Sequence, residues 1–240
     1  MPMVPNRVLL VTPHPDDAEG GCGATVARWI AGGAEVVYLL CTNGDKGTTD
    51  LEMTPPRLAE TREREQLEAA RVLGVKDVVF LRHPDGALED DRQFRGEVVR
   101  EIRRHRPDVV MCMEPFRLVS HSHRDHRISG QVTVDAVATY AWRPLYFPNH
   151  MADEGLAPHQ APHVYLWGSE TPDTFVDVST TVDRKIDTLL KHASQMTDPD
   201  RVRSRVRESA RRVAQTHGTG FEYAEAFRVM SFSRDPLLVT

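Results

Sequence analysis

The chain has 240 residues, 40% of them hydrophobic and 27% charged, with a net charge of -5 and a pI near 6.1. This composition is that of an ordinary folded protein and excludes disorder and fibrous repeats. The negative balance offers no general attraction to nucleic acid or to an anionic membrane, so neither partner is expected. The sequence contains no run of about eighteen apolar residues that could span a bilayer. The length is typical of one domain, here predicted to cover residues 1–240.

The cysteines and the first residues of the chain indicate the cellular compartment in which the protein is expected. Cys22, Cys41 and Cys112 are odd in number and lie far apart without a C-x-x-C pair, so they indicate neither a disulfide framework nor a thiolate zinc site. The apolar run near the start, residues 8–11, is too short for the core of a signal peptide. A reduced, cytoplasmic protein is therefore expected.

Short apolar runs alternate with longer amphipathic segments along the chain. This pattern predicts an α/β fold, a Rossmann-like and mostly parallel sheet with helices on both faces in a single domain. The predicted strands, the last two with weaker patterns, are Arg7–Thr12, Glu35–Cys41, Asp77–Leu81, Asp108–Met113, His163–Trp167 and Thr174–Val178. The predicted helices are Gly21–Ala31, Pro56–Leu73, Gln93–His105, His126–Ala141, Thr180–Met196, Asp198–Gln215 and Glu222–Arg228. The proline-rich residues 143–162 are expected to form a long loop over a site.

The first cluster of polar side chains follows the first predicted strand. One imidazole and two carboxylates, those of His14, Asp16 and Asp17, lie there within four residues, in a turn that Pro13 and Pro15 stiffen. In open α/β sheets, ligands bind outside the carboxyl ends of the strands. Packed carboxylates and an imidazole are costly to bury unless a cation holds them, although an aspartate-rich helix cap would explain the same residues. Taken alone, this cluster leaves a metal site and a helix cap equally supported.

A second cluster follows the fourth predicted strand and favours the metal site. Residues 120–126 read Ser-His-Ser-His-Arg-Asp-His, so they reach the same edge of the sheet as His14 and Asp17. A catalytic zinc ion takes three nitrogen or oxygen ligands and keeps one open position, which His14, Asp17 and His126 could supply. Asp125 then remains to orient the neighbouring His123, a common arrangement around metals and in acid–base chemistry. The sequence therefore predicts a mononuclear Zn²⁺ site.

The two clusters together resemble the PIG-L or LmbE-like family of zinc-dependent N-acetylglucosaminyl deacetylases. The family's marks are an H-P-D-D segment after the first strand and a later H-x-D-H, here residues 14–17 and 123–126. Shorter similarities extend over nearly the whole chain. These are Asn43-Gly44-Asp45, Arg62 with Glu65, Pro84-Asp85-Gly86, Lys191-His192-x-Ser194-Gln195 and Tyr223-Ala224-Glu225-Ala226-Phe227. The sequence departs from the common pattern at Ala18, where many members have Glu, and at Arg124, where Pro is frequent.

The resemblance implies the function and the roles of the site residues. The reaction would be hydrolysis of the N-acetyl group of an N-acetylglucosamine-type small molecule, with zinc on the three ligands given above. Asp16 would act as general base, and a protonated His123, stabilised by Asp125, would face the oxyanion and the departing amine. Arg62 and Asp85 would contact sugar hydroxyls, although a helix-face ion pair and a turn aspartate explain them nearly as well. Relatives often form homo-oligomers, so self-association is a further expectation.

Other enzyme classes remain as alternatives. A metal-dependent phosphoesterase also uses aspartate-rich strand ends, but a two-metal site needs more carboxylates, and only Asp45 adds one at a strand end. An amidase acting on a different small molecule would share the same metal chemistry. Gly21 and Gly23 suggest a dinucleotide site only weakly, because Val26 replaces the third glycine of G-x-G-x-x-G.

Two further features have ordinary structural explanations. The segment Asp198–Gln215 carries six arginines opposite a stripe that includes Val202, Val206 and Val213, which indicates a surface helix rather than a nucleic-acid site. Trp167 and the aromatic residues of the segment 142–147 could stack on a sugar ring, but core packing accounts for aromatic residues at such positions more often.

Overall fold

A seven-stranded sheet forms the centre of the protein, and a computed structural model describes residues 4–232. The strands are β1 (Arg7–Thr12), β2 (Glu35–Thr42), β3 (Asp77–His83), β4 (Val109–Met113), β5 (His163–Trp167), β6 (Thr174–Asp177) and β7 (Ala224–Ser231). Their order in the sheet is β3-β2-β1-β4-β5-β7-β6. The first five strands run parallel, and β7 pairs antiparallel with both β5 and β6.

The helices form two groups that pack separately. They are α1 (Asp17–Ala31), α2 (Pro55–Leu73), α3 (Arg92–His105), α4 (Arg124–Asp135), α5 (Asn149–Ala152), α6 (Val182–Leu189) and α7 (Pro199–Thr216). Helix α6 contacts α1, α2 and α7, whereas α3 packs with α4 and with the π turn Ala136–Tyr140 that follows α4. The predicted Rossmann-like fold with a mostly parallel sheet is therefore confirmed. In residues 4–232, no helix has both the length and the apolar character needed to cross a bilayer.

The central strands are almost completely buried. Residues 8–11 of β1 and 36–41 of β2 belong to one hydrophobic core that spans the sheet and both helix groups. Continuous runs of Val and Leu suit parallel strands, since both faces of such strands are covered by helices. Burial of this apolar area is the main stabilising contribution to the fold.

The topology brings the two polar clusters together. Strand β1 lies between β2 and β4. The chain adds β2 on one side of β1 first, and adds β4 on the other side later in the sequence. The carboxyl ends of two such strands border the crevice in which doubly wound sheets bind ligands. Residues 13–17 follow β1 and residues 114–126 follow β4, so both clusters open into this crevice.

One predicted element is wrong, and several boundaries differ. The segment Glu222–Arg228 is predicted as a helix but forms most of β7, because pairing with strands on both sides outweighs the helix preference of Ala and Glu. The predicted helix Thr180–Met196 is shorter, ending at Leu189. The expected loop over residues 143–162 contains the one-turn helix α5. Pairing across the sheet is not visible in a single sequence, which explains the error at β7.

Candidate metal and active site

The turn after β1 holds Asp16 in an unusual backbone conformation. Asp16 has φ 88° and ψ -24°, in the left-handed region that non-glycine residues rarely occupy. Its side chain makes no capping hydrogen bond to α1, although Asp16 occupies the N-cap position. A helix cap therefore does not explain this aspartate. Strained backbone of this kind is concentrated at functional sites and costs about 1–3 kcal/mol.

Three donor atoms from the two clusters form a triangle. The distance from His14 Nδ1 to Asp17 Oδ2 is 3.0 Å, from His14 Nδ1 to His126 Nε2 3.2 Å, and from His126 Nε2 to Asp17 Oδ2 3.2 Å. A tetrahedral zinc ion with bonds of about 2.0–2.1 Å separates its ligand atoms by about 3.3 Å. The triangle therefore has the size of one face of such a coordination shell.

The second nitrogen of His14 faces two buried carboxylates. His14 Nε2 lies 3.0 Å from Asp85 Oδ1 and 3.3 Å from Asp125 Oδ2. Metal-binding histidines commonly donate their other ring N–H to a carboxylate, which fixes the tautomer and the ring orientation. Nε2 therefore keeps a proton that faces these carboxylates, and Nδ1, which faces Asp17 and His126, is the nitrogen that can bind a metal once it has lost its proton.

These contacts change the proton affinity of the site in the metal-free protein. Burial alone would lower the pKa of His14, but hydrogen bonds with Asp125, Asp17 and Asp85 outweigh it and raise the pKa to about 11. The hydrogen bond from His14 lowers the pKa of Asp85 to about 2. Burial opposes ionisation of Asp17, yet His126 and His14 hold its pKa well below the usual range. The cluster thus has the charge pattern of a cation-binding centre.

Asp16 lies beside this centre and pairs with Arg62. Arg62 Nη2 is 3.1 Å from Asp16 Oδ2 and also donates to the carbonyl oxygen of Pro15, while Nη1 donates to that of Gly44. Burial and the neighbouring Asp17 raise the pKa of Asp16 to about 6, although Arg62 opposes the shift. A carboxyl group that titrates near neutrality can accept and return a proton at physiological pH.

His123 and Asp125 meet in a different way from the predicted one. The backbone N–H of Asp125 donates to His123 Nδ1 at 3.3 Å, whereas the Asp125 carboxylate accepts from the backbone of Gly86 and Leu88 and faces His14. Burial and the nearby His14 lower the pKa of His123, which favours its neutral form. With Nδ1 as acceptor, the neutral ring carries its proton on Nε2.

Two other sets of donor atoms also lie within 4.8 Å of one another. One joins His14, His123 and His126, and the other joins His14, Asp85 and Asp125. The second set uses the nitrogen of His14 that already faces the carboxylates, so it describes the support of His14. The structure thus places five of the other predicted site residues against His14, namely Asp17, Asp85, His123, Asp125 and His126, while Asp16, two residues along the chain, pairs with Arg62.

Sequence reasoning missed two buried side chains behind Asp16. Gln66 Oε1 accepts the backbone N–H of Asp16, and Gln66 Nε2 donates to Glu19 Oε1. Gln66 lies four residues after Arg62, on the same face of α2, and this spacing is the signal that could have identified it. Glu19 is fully buried, and its other oxygen lies 3.4 Å from His192 Nε2.

This combination of fold and site is that of an α/β protein with a histidine–aspartate metal-binding centre at the switch point of its sheet. The sequence model of the family described as PIG-L: GlcNAc-PI de-N-acetylase matches residues 9–137, which is just over half of the chain. The chain therefore belongs to the PIG-L family.

Individual relatives share most of the chain. A diacetylchitobiose deacetylase of Thermococcus kodakarensis is 35% identical over 224 residues, covering 92% of this chain and 82% of the relative. A 1D-myo-inositol 2-acetamido-2-deoxy-alpha-D-glucopyranoside deacetylase of Mycobacteroides abscessus is 30% identical, covering 82% and 84%. The solved structure of N,N'-diacetylchitobiose deacetylase from Pyrococcus horikoshii superimposes with a TM-score of 0.86 at 31% identity, covering 95% of this chain and 84% of that one. The resemblance read from the sequence is confirmed.

Proposed function

We propose that this protein is a zinc-dependent N-deacetylase that hydrolyses the N-acetyl group of an N-acetylglucosamine-type sugar or conjugate to acetate and a free amine. The observation that carries the proposal is the donor triangle of His14, Asp17 and His126 beside the strained Asp16. The relatives named above, which deacetylate amino sugars, support the choice of substrate class.

The donor set fits zinc. Two imidazole nitrogens and one carboxylate oxygen are the ligand types of catalytic zinc sites, which leave a further position open. The carboxylates of Asp85 and Asp125 on His14 Nε2 would keep that ring in the ligating orientation. When bound, the ion would supply Lewis acidity to the amide carbonyl and to the attacking water.

Asp16 would take a proton from the water that attacks the amide carbon. Its pKa of about 6 suits a base working near neutral pH, and Arg62 holds the carboxylate in place. Attack forms a bond from the water oxygen to the carbonyl carbon and places negative charge on the carbonyl oxygen. Collapse of this tetrahedral adduct breaks the C–N bond, and the proton held on Asp16 passes to the departing nitrogen.

His123 would stabilise the oxyanion by donating from Nε2. The backbone N–H of Asp125 fixes the opposite nitrogen, so the ring needs no net charge to present this donor.

Arg62 already pairs with Asp16, and Asp85 already faces His14. They would contact sugar hydroxyls only through polar atoms that these partners do not use. Their contacts here support a positioning role at least as well as substrate binding.

Amine release tests the proposed reaction. Zinc-loaded protein is incubated with N-acetylglucosamine, diacetylchitobiose and an N-acetylglucosaminyl inositol, and primary amine and acetate are both quantified. Asp16→Asn should lower kcat by about 10²–10⁴ without loss of zinc, because the base is removed while the shape is kept. Asp50→Asn, at an exposed position, is the matched control and should be fully active. Unchanged turnover in Asp16→Asn would refute the role of Asp16.

Metal content tests the ligand assignment separately. His126→Ala should reduce bound zinc from one equivalent to a small fraction, because one of three ligands is lost. His121→Ala changes an exposed histidine in the same segment and should keep the full equivalent. Stoichiometric zinc in His126→Ala would contradict the assignment.

The competing classes make different predictions for the same protein. A two-metal phosphoesterase would bind two equivalents of metal about 3.5–4 Å apart and release phosphate. The second donor set shares His14 with the first, which argues against a second ion. One equivalent of zinc with acetate release favours the deacetylase, whereas one equivalent with release of another acid would favour an amidase of different specificity.

We also propose a cytoplasmic location and self-association. Cys22, Cys41 and Cys112 are all free and buried, which suits a reducing compartment. Self-association rests on the family resemblance alone, and light scattering of the purified protein would measure it.

A further inference from the structure

A cavity borders the start of α1, where Gly20 and Gly21 contribute to its lining. Its volume is about 700 Å³, within the range of about 300–1,000 Å³ that small-molecule sites have. Its walls come from the start of α1, the end of β5, helices α6 and α7, and β7. None of the eight predicted site residues lines it, so it is distinct from the crevice around His14.

One wall of this cavity is apolar. The α7 side chains Val202, Val206 and Val213 line it and are only half-buried, whereas Ala210 and Ala214 are the buried residues of the helix. The sequence predicts that these valines pack against the rest of the protein. Val206 does pack against the hydrophobic core, but all three valines also border the cavity, so the part of the stripe that faces it is available to an apolar ligand.

Trp167, at the end of β5, contributes to the lining of the cavity. The residue is 2% exposed, and its ring packs against Gly21 so closely that a Cβ atom there would lie 2.4 Å from the indole Nε1. Since Nε1 is itself buried, the ring offers the cavity an apolar surface rather than a hydrogen-bond donor.

Among the charged groups that residues 4–232 place around the cavity, those left without partners are hydrogen-bond donors rather than acceptors. Arg201 and Arg205, one helical turn apart on α7, have no carboxylate within 4.0 Å in the described part of the chain. Lys185 is paired with Glu225 at 2.6 Å, and the two Glu225 oxygens also accept backbone N–H groups of residues 24 and 25. Asp198 is used as the N-cap of α7. The hydrogen-bonding capacity that remains therefore suits an anion.

We infer that this cavity binds a small amphipathic anion. Its apolar body packs on the α7 valines and Trp167, and its acidic group, a carboxylate, sulfonate or phosphate, is held by Arg201 and Arg205. The same chemistry would be presented by a separate anionic molecule or by an acidic part of the substrate that extends beyond its sugar ring. The inference goes beyond the proposed deacetylation and does not depend on it.

Fluorescence titration with two naphthalene probes tests the inference. The zinc-loaded protein is titrated with 8-anilinonaphthalene-1-sulfonate and with N-phenyl-1-naphthylamine, which has the same rings without the sulfonate. The double variant Arg201→Gln/Arg205→Gln should raise the Kd of the sulfonate about tenfold and leave that of the neutral probe unchanged. Added salt should weaken sulfonate binding to the unmodified protein, because these arginines are exposed.

The control variant carries the same change of charge on the same helix. Arg203→Gln/Arg212→Gln alters two exposed arginines that do not line the cavity, and it should bind both probes like the unmodified protein. Near-UV circular dichroism of each variant shows that its tertiary packing is intact. An equal loss of sulfonate binding in the two double variants, or sulfonate binding no tighter than that of the neutral probe, would overturn the inference.

Trp167 supplies an independent readout and locates the probe. Energy transfer from tryptophan to the bound sulfonate should fall in Trp167→Phe, whereas Trp142→Phe should retain it. Competition by an N-acetylated amino sugar that carries an acidic substituent, but not by N-acetylglucosamine itself, would assign the site to an acidic part of the substrate, and binding without competition would assign it to a separate anion. Transfer unchanged in Trp167→Phe would count against this cavity. Probe binding is read without turnover, so its outcome is independent of the proposed activity.

Discussion

The backbone N–H of Asp16 donates a hydrogen bond to Gln66 Oε1 at 3.2 Å, which links the strained turn after β1 to the buried face of α2. Gln66 is itself fully buried, and its Nε2 group donates to Glu19 at 2.9 Å. This hydrogen bond helps to hold the left-handed residue of the turn, and among residues 4–232 the Gln66 side chain forms no hydrogen bond with the three proposed metal ligands. Gln66 is a positioning residue for the proposed base.

Gln66→Ala should slow the reaction while leaving the metal in place. Loss of the hydrogen bond lets Asp16 relax from φ 88°, and a displacement of about 1 Å can cost up to about a hundredfold in rate. We expect kcat to fall about tenfold, with one equivalent of zinc retained. Glu60→Ala, at an exposed position of α2, should behave like the unmodified protein. A normal kcat in Gln66→Ala would show that the turn holds without this contact.

Zinc affinity should increase with pH between 6 and 8. In the metal-free protein the pKa of His14 is about 11, so its ring is protonated throughout this range and must lose a proton before Nδ1 can bind a metal. Asp17 has a lowered pKa and is already ionised. One displaced proton predicts an affinity gain of about tenfold per pH unit. Titration against a chelator of known affinity at three pH values, corrected for the chelator's own protonation, measures this slope, and a flat profile would contradict it.

The loop before His123 is held by one carboxylate from the segment after β5, the strand next to β4 on the side away from β1. Glu170, which follows β5, accepts from the backbone N–H groups of Leu118, Val119 and Ser120 and from the Ser120 hydroxyl, at 2.6–3.2 Å. The side chains of Leu118 and Val119 are more than 90% exposed, so packing contributes little to the order of this loop. The hydrogen bond from the Ser120 hydroxyl and those from the backbone lower the pKa of Glu170 to about 2.

Glu170→Gln should loosen this loop. A neutral amide cannot accept all these hydrogen bonds, and its NH₂ group would oppose backbone donors. We expect faster amide hydrogen exchange at residues 118–120 and a kcat lowered several-fold, because His123 ends the loop. Glu222→Gln, at an exposed position, is the control. Because the pKa of Glu170 is lowered on folding, the contribution of this carboxylate is present above pH 4.3 or so and is lost as the pH falls toward 2. Exchange that is as slow in the variant as in the unmodified protein would exclude the anchoring role.

The residues of the crevice could be predicted from the sequence because they lie in segments that follow strand ends. His14 and His126 are separated by 112 positions, yet each lies in the segment that connects a buried strand to the next helix or in the first turn of that helix, and parallel topology then places both at one edge. The support of Asp16 could not be predicted in the same way. Gln66 and Glu19 approach it through the packing of α2 on the sheet, and no periodic pattern specifies which polar residue faces inward.

The C-terminal part shows a second limit of single-sequence analysis. The strand Ala224–Ser231 begins with Ala, Glu and Ala, which have no strand preference. The segment is a strand because β5 and β6 pair with it on either side. The incomplete burial of the α7 valines has a related cause. A helical stripe predicts a buried face, but whether protein or a cavity covers it depends on how far α7 lies from the sheet.

The contact between α4 and β4 predicts the largest effect on stability. Gly130 of α4 packs so tightly that an added Cβ atom would lie 2.4 Å from the carbonyl oxygen of Met113, a backbone atom that cannot move aside alone. Gly130→Ala should therefore lower the free energy of unfolding by about 2 kcal/mol or more and displace the helix that carries Asp125 and His126. Gly20→Ala in α1 is the matched control, since its Cβ atom would meet only Leu189 at 4.0 Å, and it should be neutral or stabilising by up to about 1 kcal/mol. Urea unfolding of both variants measures the difference. Equal stability of the two would show that α4 can shift away from β4 without cost, which would also weaken the case that this helix holds His126 rigidly in the donor triangle.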